Sequence, residues 1–267
     1  MDASAILSAL LMGIVEGLTE FLPISSTGHL ILLGELIGFE GPASNTFKIA
    51  IQLGAILAVV VVFWPTLMQL LLKAWRPGPE RFYAINIVLA FLPAMVIGAT
   101  FYRVISDALF NPYVVCAALI LGGVAIIAIE RWRPNPTIRS VAEIGPLAAL
   151  LIGFGQALAM IPGTSRSGAT IITALLVGVD RRTAAEFSFM LAIPTMFAAT
   201  VYALYKARAD LDMSGLAQIG VGFVTSFVVA LLVVRWLMGV IARIGFTPFG
   251  WYRIALGTVM LAVLLAR

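Results

Sequence analysis

Long apolar stretches, separated by short breaks rich in proline, glycine or charge, run along almost the whole chain. The breaks divide the chain into ten apolar segments, at residues 3–21, 26–38, 46–72, 82–103, 111–130, 144–161, 166–179, 183–206, 214–242 and 248–266. A helix that crosses a bilayer needs about 20 apolar residues. The second and seventh segments have about 13 residues, and this length predicts re-entrant half-helices.

Composition indicates an integral membrane protein. Of the 267 residues, 61% are hydrophobic and 11% are charged, whereas a soluble domain carries about 25% charged residues. The N-terminal stretch lacks a basic region and a small-residue cleavage site, which predicts a retained first helix and not a signal peptide. The net charge of +4 is modest, and in such a chain it indicates membrane topology and no nucleic-acid partner.

The chain matches itself when it is shifted by 140 residues. Aligned pairs include Gly13 with Gly153, Ser25 with Ser165, Gly38 with Gly178 and Phe47 with Phe187. This predicts one membrane domain, 1–267, made of repeat one (about 1–139) and repeat two (about 140–267). Each half would hold a re-entrant helix pair and three transmembrane helices. Because that number of crossings is odd, we expect an all-α polytopic protein with two inverted-topology repeats.

Charges in the predicted loops give the orientation. One side collects Lys73, Arg76, Arg81, Arg131, Arg133, Arg139, Arg181, Arg182 and Arg243. The other side collects Lys48, Arg103, Lys206, Arg208 and Arg267. The positive-inside rule makes the first side cytoplasmic and places both termini outside.

Residues 16–30 hold two glutamates, several hydroxyl side chains and the single histidine of the chain, in an otherwise apolar region. Glu16 and Glu20 are one helical turn apart, so their carboxylates face the same way. A charge in the bilayer costs at least about 2.5 kcal/mol, so two such acids predict a functional site. The alternative is that Glu20 lies near the helix end, in the headgroup region.

The first break continues with Ser25, Ser26 and Thr27, which can cap the second helix at an N-terminus suited to phosphate. A plain cap on a buried turn is the alternative. His29 lies within one turn of Ser26 and is expected to share a pocket with Glu16 or Glu20. A carboxylate that orients an imidazole beside a hydroxyl activates that hydroxyl; a satisfied, non-catalytic histidine is the alternative.

The break in the second repeat presents an embedded cation, Arg166, among hydroxyl groups. These are Thr164, Ser165 and Ser167. Arginine grips phosphate through two parallel donors, although pairing with Glu16 or Glu20 is an alternative role. The alignment places Arg166 opposite Ser26, so one half carries acids and base and the other the cation. Glu186 and Arg253 rank lower, because they can line the same cavity or snorkel to an interface.

Two motifs, EGLTEFLPISSTGHL and PGTSRSGATI, resemble the signature motifs of the undecaprenyl-diphosphate phosphatases of the bacitracin-resistance type. The likeness extends to FKIAIQLGAILAVVVVFW, AAEFSFMLAIPTMFAAT and FTPFGWYRIA, and so covers nearly the whole chain. The resemblance implies a bacterial inner-membrane enzyme that removes the terminal phosphate of undecaprenyl diphosphate and so recycles the carrier lipid for wall polymers. It also implies a divalent cation, Mg²⁺ or Ca²⁺, and a site open to the periplasm.

The roles expected from this reading are specific. Catalysis is assigned to Ser26, His29, Glu20 and Arg166; substrate binding to Ser25, Thr27, Thr164, Ser165, Ser167 and Arg166; metal binding to Glu16 and Glu20. Ser26 either attacks phosphorus itself or positions an attacking water. Small-residue patches such as GAILA leave a homodimer open.

The rival interpretation is a transporter or flippase for an anionic lipid, since inverted repeats with broken helices are transporter architecture. A cluster of serine, histidine and two glutamates in one half disfavours it. A non-catalytic scaffold would leave the embedded polar groups unexplained.

Overall fold

The computed structural model describes residues 3–39, 42–109, 111–207 and 215–266. Within these ranges the chain forms eleven α-helices and two short 3₁₀ turns. The helices are α1 (Ala3–Thr19), α2 (Ser26–Ile37), α3 (Pro42–Val62), α4 (Trp64–Lys73), α5 (Pro79–Leu109), α6 (Pro112–Trp132), α7 (Pro146–Ala157), α8 (Arg166–Leu176), α9 (Arg181–Ala207), α10 (Leu216–Ile244) and α11 (Thr247–Ala266). The 3₁₀ turns are Val141–Glu143 and Leu158–Met160.

Five of these helices, α5, α6, α9, α10 and α11, are long and apolar enough to cross a bilayer. The bent pair α3–α4 makes a sixth span if its two helices count as one. The prediction of an all-α, multi-pass membrane protein is therefore confirmed. The expected arrangement as two inverted repeats within one domain stays a prediction.

The third apolar segment, predicted as one continuous stretch over 46–72, is broken. Helices α3 and α4 meet at Phe63 with a bend of 73°. Pro65 lies in the first turn of α4, where its missing N–H costs nothing, whereas in one continuous helix it would leave the carbonyl of Val61 without a donor and its ring would clash with that carbonyl. The proline therefore ends one helix and starts the next.

Close backbone contact joins α1 and α3 to α10. A Cβ atom on Gly17 would lie 2.7 Å from the carbonyl oxygen of Ser226, and one on Gly54 would lie 2.5 Å from that of Phe223. Ser226 is buried and donates to the carbonyl of Ile51 at 2.7 Å. Small residues allow such approach between helices, and packing of this kind holds membrane bundles together. Helix α5 packs against α7, and α6 against α11.

The largest apolar core lies beside two helix breaks, the first between α1 and α2 and the second between α7 and α8. Its aromatic members include Phe21, which meets Phe189 edge to face at a centroid distance of 5.6 Å, and Phe63 and Phe187. Phe21 belongs to the turn after α1, and Phe189 to α9. The core therefore fixes the first break against α9.

Basic groups gather at one end of the bundle. Arg181, at the start of α9, pairs with Glu130 near the end of α6 and donates to the carbonyl of Ala242 in α10. The Thr183 hydroxyl donates to the carbonyl of Arg139 at 2.9 Å. These contacts place the loop after α6, the start of α9 and the end of α10 at the same end of the helical bundle.

Candidate active site

Two serines with unusual backbone conformation immediately precede α2 and α8. Among the described residues, Ser25 (φ 69°) and Ser165 (φ 74°) are the residues other than glycine with a positive φ. Such backbone costs about 1–3 kcal/mol and is found most often at functional sites. Ser165 caps α8 by accepting the N–H of Gly168 at 3.1 Å, whereas Ser25 makes no side-chain cap for α2. The first turn of α2 therefore keeps amide groups that an anion can engage.

Glu20 joins the two breaks. It lies directly after α1, where its N–H still donates to the carbonyl of Glu16 at 3.0 Å. The hydroxyl of Ser26 donates to its Oε2 atom. Its Oε1 atom accepts from Nη2 of Arg166 at 3.4 Å. One carboxylate thus holds the serine of the first repeat and the arginine of the second.

The two terminal nitrogens of the Arg166 guanidinium have hydrogen-bond partners, whereas its Nε atom has none. Its Nη1 donates to the carbonyl of Ser188 at 3.2 Å, and its guanidinium carbon lies 5.7 Å from the centre of the Phe21 ring. Its Nε atom is buried and has no hydrogen-bond partner. An anion would supply that partner, because a buried unpaired donor is costly.

Glu16 is almost fully buried, with 2% of its surface exposed, and its Oε2 atom has no hydrogen-bond partner. No group of three or more His, Cys, Asp or Glu side chains lies close enough to hold a metal within the described ranges. Two carboxylates one turn apart, one with an orphaned oxygen, nevertheless fit a hard cation that takes its other ligands from phosphate and water. The donor set therefore suits Mg²⁺ or Ca²⁺.

His29 contacts neither glutamate through its ring nitrogens. Nδ1 lies 2.8 Å from the carbonyl oxygen of Ser25, and Nε2 lies 2.6 Å from the hydroxyl of Tyr252 in α11. The expected carboxylate–imidazole contact is replaced by a direct contact between Glu20 and Ser26. The catalytic role of His29 stays a prediction.

The remaining predicted binding residues differ in what they contact. Ser167 is buried and donates to the carbonyl of Leu22 at 2.9 Å, which ties α8 to the first break. Ser165 is engaged as the cap of α8, and its hydroxyl lies 3.1 Å from that of Ser167. Thr27 is exposed. The Thr164 carbonyl accepts from Arg253 at 2.8 Å. Direct binding of substrate by these groups stays a prediction.

Arg253 is the residue whose importance the sequence pattern understated. It is fully buried, and it neither snorkels nor reaches a carboxylate among the described residues. Its guanidinium donates to five carbonyls at 2.8–3.3 Å, those of Pro23, Ala118, Leu119, Gly163 and Thr164. An arginine has five N–H donors, so all are used. Both helix breaks are thereby fastened to α6 and α11.

Ser188 and Thr170 also went unrecognised in the sequence. Their hydroxyls lie 2.6 Å apart and join α8 to α9. This contact places the Ser188 carbonyl where Arg166 donates to it. Both residues lie in motifs that are quoted above, PGTSRSGATI and AAEFSFMLAIPTMFAAT, but nothing in either motif marks these two hydroxyls as partners of each other.

The geometry defines a multi-pass membrane protein with a serine–carboxylate–arginine site inside its helical bundle. The family model of the "Bacitracin resistance protein BacA" matches residues 9–259, and the chain belongs to this family.

Curated relatives cover the chain almost completely. It is 52% identical over 261 residues to "Undecaprenyl-diphosphatase 2" of Paramagnetospirillum magneticum, an alignment that covers 98% of this chain and 100% of the relative. It is 52% identical over 264 residues to "Undecaprenyl-diphosphatase" of Rhizorhabdus wittichii (98% and 99%). It is 49% identical over 261 residues to the protein of that name from Parvibaculum lavamentivorans (98% and 97%).

Proposed function

We propose that this chain hydrolyses undecaprenyl diphosphate to undecaprenyl phosphate and inorganic phosphate, and so recycles the carrier lipid for cell-wall polymers. One observation carries the proposal. The Ser26 hydroxyl donates to a Glu20 carboxylate whose other oxygen meets Arg166. Nucleophile, base and phosphate-binding cation thus form a connected set, as phosphoryl transfer requires. The names of the relatives agree with this activity.

Ser26 attacks the terminal phosphorus, and its proton passes to Glu20. A bond forms between the serine oxygen and phosphorus, the bond to the bridging oxygen breaks, and undecaprenyl phosphate leaves. A water molecule then attacks the phosphoserine: its oxygen bonds to phosphorus, the bond between phosphorus and the serine oxygen breaks, Glu20 returns its proton to that serine oxygen, and inorganic phosphate leaves with the proton of the water. A base within hydrogen-bond reach of the attacking hydroxyl, as Glu20 is of Ser26, contributes about 10²–10⁴-fold to the rate. A phosphoserine trapped by rapid quench separates this route from direct attack by a water that Ser26 positions.

Arg166 binds the phosphate that is transferred. Its unpaired Nε donor and the amides of the first turn of α2 are the groups that a diphosphate would satisfy. Binding of phosphate weakens the pull of Arg166 on Glu20. The carboxylate then becomes a better acceptor for the serine proton.

A divalent cation, Mg²⁺ or Ca²⁺, would be held by Glu16 and Glu20. When bound, it neutralises phosphate charge. We expect Glu16→Gln to raise the Mg²⁺ concentration needed for half-maximal activity by about tenfold, because an amide is a weaker ligand than a carboxylate. Binding of Mn²⁺, followed by electron paramagnetic resonance, should weaken in parallel. Glu143→Gln, at an exposed acid of the 3₁₀ turn Val141–Glu143, is the control, and an unchanged Mn²⁺ affinity in Glu16→Gln would remove Glu16 from the metal site.

We place the protein in the bacterial inner membrane, with the basic end of the bundle cytoplasmic and the site open to the periplasm. Helix pairing supports two inverted repeats. The first helix of repeat one, α1, packs against the fourth apolar segment of repeat two, α10, as α7 packs against α5. The positive φ of both Ser25 and Ser165 is a second match between the halves. A homodimer stays a prediction.

The direct test is phosphate release by the purified protein from undecaprenyl diphosphate in detergent. We expect Arg166→Lys to lower kcat/KM by about 10–100-fold, because lysine cannot reproduce the planar two-donor fork. Arg243→Lys, at an exposed arginine, should match the wild type. The proposal fails if the wild type releases no phosphate. Transport of an uncleavable diphosphate analogue into liposomes would instead favour the transporter interpretation.

A further inference from the structure

A tyrosine and the single histidine form a pair outside the Glu20–Ser26–Arg166 cluster. The hydroxyl of Tyr252 lies 2.6 Å from Nε2 of His29, and the two ring planes are parallel, with 1° between them and 5.5 Å between the ring centroids. Tyr252 is 45% exposed and directly precedes Arg253, which is held by five carbonyls. The backbone of Tyr252 therefore lies in a part of α11 that the contacts of Arg253 hold in place.

The contacts of His29 determine its tautomer. A carbonyl oxygen only accepts, so the 2.8 Å contact with Ser25 requires a proton on Nδ1. In the neutral ring Nε2 is then an acceptor, and the Tyr252 hydroxyl donates to it. Without that hydroxyl the neutral ring is free to place its proton on Nε2, which would abolish the bond to Ser25.

The Ser25 carbonyl is part of the strained turn that carries the proposed nucleophile. Ser25 has φ 69° and lies immediately before Ser26, whose hydroxyl must reach Glu20. The Nδ1–H bond from His29 holds the peptide unit between these two serines. A change at this peptide would move the Ser26 side chain away from the carboxylate.

We propose that Tyr252 is a positioning residue for the reaction. Its hydroxyl donates to Nε2 of His29 and so keeps the proton of the ring on Nδ1. The Nδ1–H group then donates to the Ser25 carbonyl, and this bond holds the turn from which Ser26 reaches Glu20. This inference rests on the proposed phosphatase function. A positioning role for His29 also agrees with its observed contacts, since neither ring nitrogen bonds to Ser26 or to a glutamate.

The tautomer is measurable without substrate. The chain has one histidine, so ¹⁵N NMR of protein purified without a histidine tag reports His29 alone. We expect the wild type to show the Nδ1-protonated tautomer at a pH where the ring is neutral. Tyr252→Phe should show a mixture of both tautomers, and Tyr113→Phe, at a second exposed tyrosine, should match the wild type. A pure Nδ1-protonated ring in Tyr252→Phe would overturn the inference.

Kinetics test the consequence. Tyr252→Phe should lower kcat by about tenfold, the effect of losing one hydrogen bond that aligns the nucleophile, with KM within about twofold of the wild type. His29→Asn keeps a donor where Nδ1 lies but cannot exchange a proton. We therefore expect it to retain far more activity than His29→Ala or His29→Gln, and to be insensitive to a second Tyr252→Phe change.

The results that contradict the positioning role differ from the result that contradicts the proposed function. If His29→Asn is as inactive as His29→Ala, the ring transfers a proton and the positioning role is wrong. If Tyr252→Phe keeps the wild-type kcat, the inference also fails. A wild type that releases no phosphate contradicts the proposed function, while the NMR comparison still decides the tautomer. Should Tyr252→Phe not fold, the His29→Asn comparison decides alone.

Discussion

Glu20→Gln should lower kcat for phosphate release by about 10²–10⁴-fold, the range that a positioned general base contributes. Glutamine has nearly the same shape, and its amide oxygen can still accept one hydrogen bond from Ser26 or Arg166. It cannot take the serine proton. Because substrate phosphate is held mainly by Arg166, KM should change far less than kcat. The measurement is steady-state phosphate release at saturating Mg²⁺, so that a weaker metal site in the same variant does not account for the loss, with folding verified by thermal melting.

The control for this change is Glu35→Gln, at an exposed glutamate on α2. It removes the same charge from the helix that carries Ser26 and should leave kcat within about twofold of the wild type, as surface changes usually do. The double variant Ser26→Ala, Glu20→Gln adds a second criterion. Groups that act as a unit are not additive, so the double variant should be no slower than Ser26→Ala. A kcat for Glu20→Gln near the wild-type value would exclude this carboxylate as the base.

Residues of the candidate site can be singled out from the sequence where polar groups are concentrated in a local pattern. The break at Pro23 and the acids before it, Glu16 and Glu20, stand out because apolar segments rarely carry such groups. Arg166 stands out for the same reason in the second break. The sequence allows Arg166 to pair with Glu16 or with Glu20, and the structure shows the pair with Glu20, because the choice between the two depends on how the two breaks pack.

The residues that support the site were harder to predict for a physical reason. Tyr252, Arg253 and Ser188 reach the breaks through contacts between chain positions more than a hundred residues apart or between neighbouring helices. Ser188 acts through its backbone carbonyl, which every residue type has. Local periodicity records which face of a helix is apolar, not which helix covers it. The break at Phe63 is different, since Pro65 is a local signal for it, and only the apolar pattern predicts one continuous segment across this proline.

Arg253 stabilises the fold in a way that bears directly on the site. Its five donors meet carbonyls of the first break, the second break and α6, and no other described side chain bonds to all three. Arg253→Met keeps much of the volume but leaves these carbonyls without their donor. A buried acceptor that loses its partner costs about 1–3 kcal/mol. Since the five carbonyls share one relaxation, about 3 kcal/mol in total is the expected loss of stability.

For a chain of this size, a loss of about 3 kcal/mol corresponds to a fall in Tm of about 6–12 °C. Differential scanning fluorimetry in detergent measures it, with Arg243→Met as the matched control at an exposed arginine. Arg253→Lys should fall between the two, because one ammonium group has three donors at a single point and cannot span both breaks. Activity should decrease in the same order, since separation of the breaks takes Arg166 away from Glu20. A variant Arg253→Met with the wild-type Tm would show that the breaks are held together by Ser167 and the aromatic core without the guanidinium.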